Sequence, residues 1–123
     1  MYCINDGSNP TPIYVVKGGK AVLQCAFDSN TLNWYADGSL NIIASGGDVT
    51  DSSKYSVSTN PLGLYYRLHI LKVGVSDVKK YKCETSINGV LQQFYLQLIF
   101  VGRCNYILVI FKVVKHRGFY ACR

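Results

Sequence analysis

Apolar and polar positions alternate along much of this chain, as they do in β-strands that bury one face. In the segment 21–27 the alternation places Ala21, Leu23 and Cys25 on one side, so Cys25 is predicted to point towards the core. No long segment shows a sustained helical period. The chain is therefore predicted to be all-β.

Turn-forming residues separate the alternating segments at regular intervals. Asp37-Gly38 and Asn88-Gly89 predict tight hairpins, because Asp, Asn and Gly tolerate the positive φ of such turns. The strands expected between the turns are 13–16, 21–27, 32–35, 40–44, 54–58, 64–70, 79–87 and 90–100, and the segment 45–53 is a loop or a weak edge strand. Eight or nine short strands without crossover helices favour an antiparallel sandwich of two sheets over a parallel sheet.

Length and charge narrow the possible functions. A chain of 123 residues suits one compact domain, here expected at 1–102, followed by a tail at 103–123. The net charge of +6 divides into +5 for the tail, which has five basic residues and no acid, and +1 for the first 102 residues, which have eight basic and seven acidic residues. The domain itself therefore has no basic face that would predict a nucleic-acid partner.

The cysteine count indicates the compartment. Five cysteines in a small β-rich chain predict an oxidising environment, so the protein is expected to be secreted or displayed at the cell surface. The first residues lack the basic and apolar regions of a signal peptide, and the sequence is therefore expected to be a mature or engineered fragment. Because the count is odd, at least one cysteine is free or pairs between chains, and the alternatives are a Cys104–Cys122 loop and an intermolecular bridge through Cys3 or Cys104.

The tail combines an apolar stretch with basic residues. Its apolar run, 106–111, is interrupted by Lys112 well short of the roughly 20 residues that span a bilayer. It is an added strand, a truncated membrane stem, a membrane-surface segment or a non-native extension, and its β-branched residues favour a strand. Cys104, His116 and Cys122 have the ligand types of a zinc site but unusual spacing, and no metal or cofactor is predicted.

One ordered set of residues resembles the immunoglobulin superfamily. Trp34 follows Cys25 by nine residues, and the segment 76–83, Ser-Asp-Val-Lys-Lys-Tyr-Lys-Cys, is similar to the family's Asp-x-x-x-Tyr-x-Cys signature, with Cys83 at its end. The resemblance covers about residues 13–100. It implies an immunoglobulin-like β-sandwich of two antiparallel sheets with Greek-key connections.

The resemblance also implies a role for each of these residues. The two cysteines would form a disulfide between the sheets, with Trp34 packed against it. Such a bridge over a loop of this length stabilises a domain by about 4 kcal/mol in the chain-entropy model. Tyr81 would form the tyrosine corner, and Asp77 would pair with Lys54.

The spacing between Trp34 and Cys83 bears on the subtype of immunoglobulin domain. Trp34 and Cys83 are 49 positions apart, which is enough for two additional strands, and this favours a variable-type domain like those of antigen and adhesion receptors. The segment Trp34-Tyr35-Ala36-Asp37-Gly38 instead resembles the Trp-Tyr-x-Asp-Gly motif of intermediate-type domains. The variable type is the expected one of the two.

The family resemblance directs the search for function to one sheet face. In variable-type domains the outward face of strands C, C′, F and G pairs domains with each other and binds counter-receptors. Alternation predicts that this face carries Asn33, Tyr35, Lys82, Glu84, Gln93, Tyr95 and Gln97, with Lys80 also pointing outward. Aromatic rings mixed with amides and charges are typical of transient or homodimeric interfaces.

The predicted function is therefore that of an extracellular recognition domain of an immune or adhesion receptor, which binds a protein partner or itself. The alternative is a structural spacer in a larger multidomain protein, with no binding of its own. An enzyme is not predicted: only His69 and His116 would act as bases near neutral pH, and no phosphate loop or paired-carboxylate motif is present. A membrane would be contacted only through a missing or truncated anchor.

Overall fold

A computed structural model describes residues 10–101, which form nine strands and one short 3₁₀ helix, Val75–Asp77. The strands are β1 (Thr11–Val15), β2 (Ala21–Ser29), β3 (Asn33–Ala36), β4 (Ile42–Ser45), β5 (Asp48–Val49), β6 (Tyr55–Thr59), β7 (Tyr65–Ile70), β8 (Lys80–Ile87) and β9 (Val90–Phe100). Within residues 10–101, no helix is long and apolar enough to cross a membrane. The predicted tail, its zinc alternative and the pairing of Cys3, Cys104 and Cys122 lie outside the described residues.

The strands form the two-sheet sandwich that the alternation predicted. One sheet has the order β1-β9-β8-β3-β4-β5, and the other has the order β2-β7-β6. The chain crosses between the sheets after β1, β2, β5 and β7, so strands adjacent in sequence at these points are not neighbours in a sheet. Such crossings are the Greek-key connections of a sandwich.

One strand pair is an exception within the predicted antiparallel sandwich. β1 pairs with β9 in parallel, with Thr11 opposite Leu96 and Val15 opposite Phe100. The reason lies in the turn after β1, where Gly18 has a φ of +85° and its N–H donates to the Val73 carbonyl. This turn sends the chain to the other sheet, so β1 pairs with the free edge of β9, which runs in the same direction.

The hairpin at Asp37-Gly38 also differs from its prediction. The tight turn is present, with the Ser39 N–H donating to the Ala36 carbonyl at 3.0 Å, but β4 begins at Ile42 rather than at residue 40. A register shift then pairs Ala44 with Trp34 and Ile42 with Tyr35. Because of this bulge, Ile42 shares the outward side with Tyr35, and β4 does not follow simple alternation.

The hairpin at Asn88-Gly89 forms as predicted. Both residues have positive φ, +52° and +80°, and Ile87 pairs directly with Val90 across the turn. This two-residue connection fixes the register of β8 and β9 along their whole length.

The core lies between the sheets and contains the predicted disulfide. Cys25 on β2 is bonded to Cys83 on β8, with their Cα atoms 6.1 Å apart. Trp34, which is only 1% exposed, lies directly opposite Cys83 in the β3–β8 register and packs in the same cluster. The other large and fully buried side chains are Tyr81, Leu23, Leu32, Leu68, Ile70, Leu96, Leu98 and Val73.

A buried polar cluster fixes the start of β8. The Tyr81 hydroxyl donates to the Asp77 carbonyl at 2.6 Å, which is the contact of a tyrosine corner. The Asp77 carboxylate accepts from the Gly74 N–H at 2.7 Å and pairs with Lys54 Nζ at 2.7 Å. Burial, and then the charge of Asp77, raises the pKa of Tyr81, so its hydroxyl remains a donor. The cluster thus links β8 to the segment that leads into β6.

Tyr81→Phe tests this corner. The substitution removes one buried hydrogen bond and leaves the Asp77 carbonyl without that donor, so the free energy of unfolding should fall by about 1 to 2 kcal/mol in denaturant titration. Tyr14→Phe is the matched control, because Tyr14 is 56% exposed, and it should change stability by less than about 0.5 kcal/mol. Equal effects of the two changes would show that the corner contributes nothing.

Replacing both bridge cysteines tests the disulfide. Cys25→Ala/Cys83→Ala releases a loop of 58 residues in the unfolded chain, and unfolding should become easier by about 4 kcal/mol. Reduction of the unmodified protein should lower its denaturation midpoint in the same direction. A double variant as stable as the parent would contradict the structural role of the bridge.

Candidate partner-binding face

The seven residues predicted for the partner-binding face lie together on the outward side of the six-stranded sheet. β3, β8 and β9 are neighbours in that sheet, and their side chains alternate between the core and this surface. We call this surface the outer face and define it by Asn33, Tyr35, Lys82, Glu84, Gln93, Tyr95 and Gln97. Most of these side chains are half-buried by their neighbours on the sheet.

Strand register arranges the outer face in rows. Tyr35, Lys82 and Tyr95 are paired across β3, β8 and β9 and form the first row. Lys82 Nζ lies 4.8 Å from the centroid of the Tyr35 ring, a cation–π distance. The second row contains Asn33, Glu84 and Gln93, and Gln97 lies opposite Lys80 beyond the first row.

Glu84 connects the two rows. Its carboxylate accepts from Gln93 Nε2 at 3.0 Å and from the Tyr35 hydroxyl at 3.4 Å, and it pairs with Lys82 Nζ at 3.2 Å. The hydrogen bond from Gln93, together with Lys82 and Tyr35, lowers the pKa of Glu84 against the opposing effect of burial. Glu84 is therefore an anion with three partners within its own chain.

The two neighbours of Glu84 respond to its charge. Burial, and then the negative charge of Glu84, raises the pKa of Tyr35, so its hydroxyl stays protonated. Burial alone would lower the pKa of Lys82, but the hydrogen bond and the charge of Glu84 outweigh it, and the pKa of Lys82 is raised. At neutral pH the outer face therefore holds one cation and one anion in contact.

A second ion pair lies at the border of the outer face. Lys80 Nζ is 3.1 Å from the Asp37 carboxylate and 5.4 Å from the centroid of the Tyr95 ring. The side chains of this pair are 39% and 31% exposed, so the pair adds little to stability. It does balance the charge of Lys80 on this side of the sheet.

Two apolar residues of this surface were missed by the sequence reasoning. Ile42 is 38% exposed beside Tyr35, and only the bulge in β4 brings it there. Leu91 is 57% exposed and precedes Gln93 by two positions, so extending the alternation along β9 would have found it. The outer face is thus bordered by an exposed apolar side chain on β4, Ile42, and by another on β9, Leu91.

The opposite side of the sandwich carries the histidine that sequence analysis considered as a base. His69 Nε2 is 2.9 Å from the Ser58 hydroxyl, while its Nδ1 is buried and has no partner among residues 10–101. Burial, and then the charges of Lys20 and Arg67, lowers the pKa of His69. In the described part of the chain no carboxylate orients this ring, and no group of three metal-ligating residues is present.

Comparison with known proteins identifies the architecture. No protein-family model matches the sequence, and no curated protein matches it either. A chain in the crystal structure of Dpr11 IG1 bound to DIP-gamma IG+IG2 is 20% identical, with 76% of this chain and 100% of that chain covered and a TM-score of 0.65.

Two further solved structures match with similar identity. A chain of the ZIG-8 IG1 homodimer is 19% identical over 78% of this chain and 84% of its own length, with a TM-score of 0.57. The titin I-band fragment I67–I69 is 20% identical over 76% of this chain and 30% of its own length, with a TM-score of 0.54. Together with the Cys25–Cys83 bridge, these likenesses show that the chain has the immunoglobulin fold.

Acid titration tests the charge network of the outer face. Because the folded-state pKa of Glu84 lies below its ordinary value of 4.5, its contribution to stability is present above that value and is lost as the pH falls through the folded pKa. Between about pH 6 and about pH 3, the unmodified protein should therefore lose more stability than Glu84→Gln. Gln93→Ala, which removes one of the three donors, should give an intermediate loss. Identical acid titrations would contradict the network.

Proposed function

We propose that this immunoglobulin-fold domain is an extracellular recognition domain that binds another immunoglobulin-type domain or a second copy of itself through the outer face. The observation that carries the proposal is the row of Tyr35, Lys82 and Tyr95 across three neighbouring strands. In this row the two tyrosine rings flank the Lys82 cation on β9, β8 and β3, which are neighbouring strands of the six-stranded sheet.

The chemistry of this row suits protein recognition. Tyrosine supplies a large contact area with few rotatable bonds, and Tyr is enriched among residues that dominate binding energy. The contacts with Lys80 and Lys82 hold both rings in place before any partner arrives. Such preorganisation reduces the entropy lost on association.

Ile42 and Leu91 complete the proposed interface. Each is an exposed apolar side chain on the same side of the sheet as the tyrosines. Burying them against a partner would add the hydrophobic contribution that a polar surface alone lacks. A polar centre with apolar and aromatic contacts is compatible with a domain that also exists as a monomer.

The similar structures support an immunoglobulin-type partner. Dpr11 IG1 is bound to DIP-gamma IG+IG2 in its structure, and the ZIG-8 IG1 structure is a homodimer. The Cys25–Cys83 bridge supports an oxidising location such as the cell exterior. We also infer a variable-type arrangement, which is supported by the presence of β4 and β5 beyond β3 in one sheet.

The alternative function is that of a spacer in a larger multidomain protein, and it is compatible with the match to the I-band fragment I67–I69 from titin, of which 30% is covered. A spacer would make no use of the outer face. The two functions therefore predict different effects on partner binding when Tyr35 or Tyr95 is replaced.

Tyr35→Ala and Tyr95→Ala test the proposed function. Each should weaken binding at least about tenfold, as expected for interface anchors, while the melting temperature falls by only a few degrees. Binding is measured by sedimentation of the chain alone over a concentration series, and by an array of immobilised immunoglobulin-domain ectodomains. Val22→Ala is the matched control, since Val22 is 40% exposed on the other sheet.

Two outcomes would contradict the proposal. A chain that is monomeric at all concentrations and binds nothing on the array behaves as a spacer. Binding that Val22→Ala reduces as much as the tyrosine variants do would place the interface elsewhere.

A further inference from the structure

We infer that the outward side of the three-stranded sheet binds a sulfated polysaccharide, because its cations have no acidic partner in the described part of the chain. We call this surface the basic strip and define it by Lys20, Gln24, Ser58, Arg67 and His69. It lies on the opposite side of the sandwich from the outer face. The inference therefore goes beyond the proposed function, and either one can fail without the other.

Ion pairing divides the basic side chains into two groups. Residues 10–101 contain eight Lys and Arg, of which three are paired, and two of these three, Lys80 and Lys82, lie on the six-stranded sheet. The five that form no ion pair within this range are Lys17, Lys20, Arg67, Lys72 and Lys79. Four of these five lie on β7 or on the turns that adjoin the three-stranded sheet. The net charge of +1 for the first 102 residues conceals this separation.

Strand register orders the basic strip. Val22 pairs with His69, and Gln24 pairs with Arg67. Lys20 is two positions before Val22, so Lys20 and Arg67 lie on opposite sides of His69, about 13 Å apart along the strand direction. The residues that alternate with these positions in β2 and β7 are buried, so the strip points to solvent.

Arg67 is held in place by its neighbours. Its Cζ lies 4.6 Å from the centroid of the Tyr66 ring, and its Nε donates to Gln24 Oε1 at 3.2 Å. Among residues 10–101, its two terminal nitrogens make no hydrogen bond. A guanidinium offers donors in a planar fork, which suits two oxygens of one anionic group such as a sulfate. The preordered side chain would lose little further entropy on binding.

His69 lies between the two cations of the strip. Its Nε2 is 2.9 Å from Ser58 Oγ. Burial, and then the charges of Lys20 and Arg67, lowers its pKa, and no carboxylate of the described residues counteracts them. A bound anion would offset this repulsion and raise the pKa of His69. The ring therefore reports whether an anion occupies the strip.

The acids near this sheet do not neutralise the strip. Its three strands contain one acid, Asp28, which is four positions beyond Gln24 and accepts from Asn60 Nδ2 at 2.6 Å. Asp77, in the connection from β7 to β8, is paired with Lys54. The strip therefore keeps a positive potential that attracts an external anion.

The groups between the cations favour a polysaccharide over a lipid surface. Gln24, Ser56 and Ser58 can exchange hydrogen bonds with sugar hydroxyls. Surface-bound membrane segments combine cations with a large apolar face, whereas the exposed large apolar side chain among these groups is Val22, at 40%. The Cys25–Cys83 bridge is typical of extracellular proteins, and sulfated polysaccharides are linear polyanions of that compartment.

The first experiment measures binding of a heparin fragment of defined length to the full chain by calorimetry. Arg67→Gln should weaken binding at least about fivefold and Lys20→Gln at least about threefold, because each removes a charge-assisted contact. Arg67→Lys should lie between Arg67→Gln and the unmodified chain, since it keeps the charge and loses the planar fork. The losses should shrink between about 0.05 and about 0.5 M salt.

Lys79→Gln is the matched control. Lys79 is exposed, forms no ion pair within residues 10–101 and directly precedes β8 of the other sheet. The substitution changes the net charge as Lys20→Gln does, and it should alter heparin affinity by less than about 1.5-fold. The basic segment 103–123 is the same in every variant, so differences between variants isolate the strip. Circular dichroism melts establish that each variant is folded.

The second experiment follows the His69 ring by NMR as the pH is changed. Heparin should raise the pKa of His69, whereas heparin from which the sulfates have been removed should leave it unchanged. The chain has two histidines, and the signal lost in His69→Asn identifies the ring. This readout is local to the strip.

The outcomes decide the inference independently of the proposed function. If heparin does not bind, or if Lys79→Gln weakens binding as much as Arg67→Gln, the inference is wrong. If heparin binds while the pKa of His69 and the affinity of Arg67→Gln are unchanged, the anion lies elsewhere, and the inference is again wrong. Arg67-dependent binding to phosphatidylserine vesicles without binding to heparin would assign the strip to a membrane and overturn the polysaccharide. In each case the tyrosine-dependent binding of ectodomains is a separate measurement.

Discussion

The disulfide between Cys25 and Cys83 and the packing of Trp34 against it constrain the rest of the structure. The bridge holds β2 against β8, and register places Trp34 directly opposite Cys83 on the neighbouring strand. Once Cys83 points inward, the two-residue period of a strand forces Lys82 and Glu84 to point outward. The disulfide in the core therefore determines which side chains of β8 lie on the outer face.

A second constraint sets where β8 begins. The Tyr81 hydroxyl is bonded to the Asp77 carbonyl, and the Asp77 carboxylate holds Lys54 from the segment before β6. Tyr81 directly precedes Lys82 in β8, so this corner fixes the start of the strand that carries Lys82, while the Asn88-Gly89 hairpin fixes the register of Lys82 with Tyr95. A structural cluster that binds nothing thus positions the residues proposed to bind.

The immunoglobulin fold by itself does not specify a function, since such folds host many unrelated functions. The charges of the outer face of this domain are paired within the chain. A cation flanked by two tyrosines, and an anion with three partners, form a neutral and largely ordered surface on the middle strands. Folding has already shielded much of this ion pair from water, since its two side chains are only 21% and 18% exposed.

The sequence by itself determined the strands other than β4 and β5, the hairpin at Asn88-Gly89 and the inward or outward side of residues in β2, β3, β8 and β9, because alternation and turn chemistry are local properties. The same alternation identified the residues of the outer face. Only the tertiary structure decided that β1 pairs in parallel with β9 and that a bulge turns Ile42 outward, because both depend on how the strands pair with their neighbours in the assembled sheet. Tertiary structure likewise decided that Glu84 contacts Tyr35 on β3 and Gln93 on β9 in addition to Lys82 on its own strand, since contacts between strands follow from register and not from spacing along the chain.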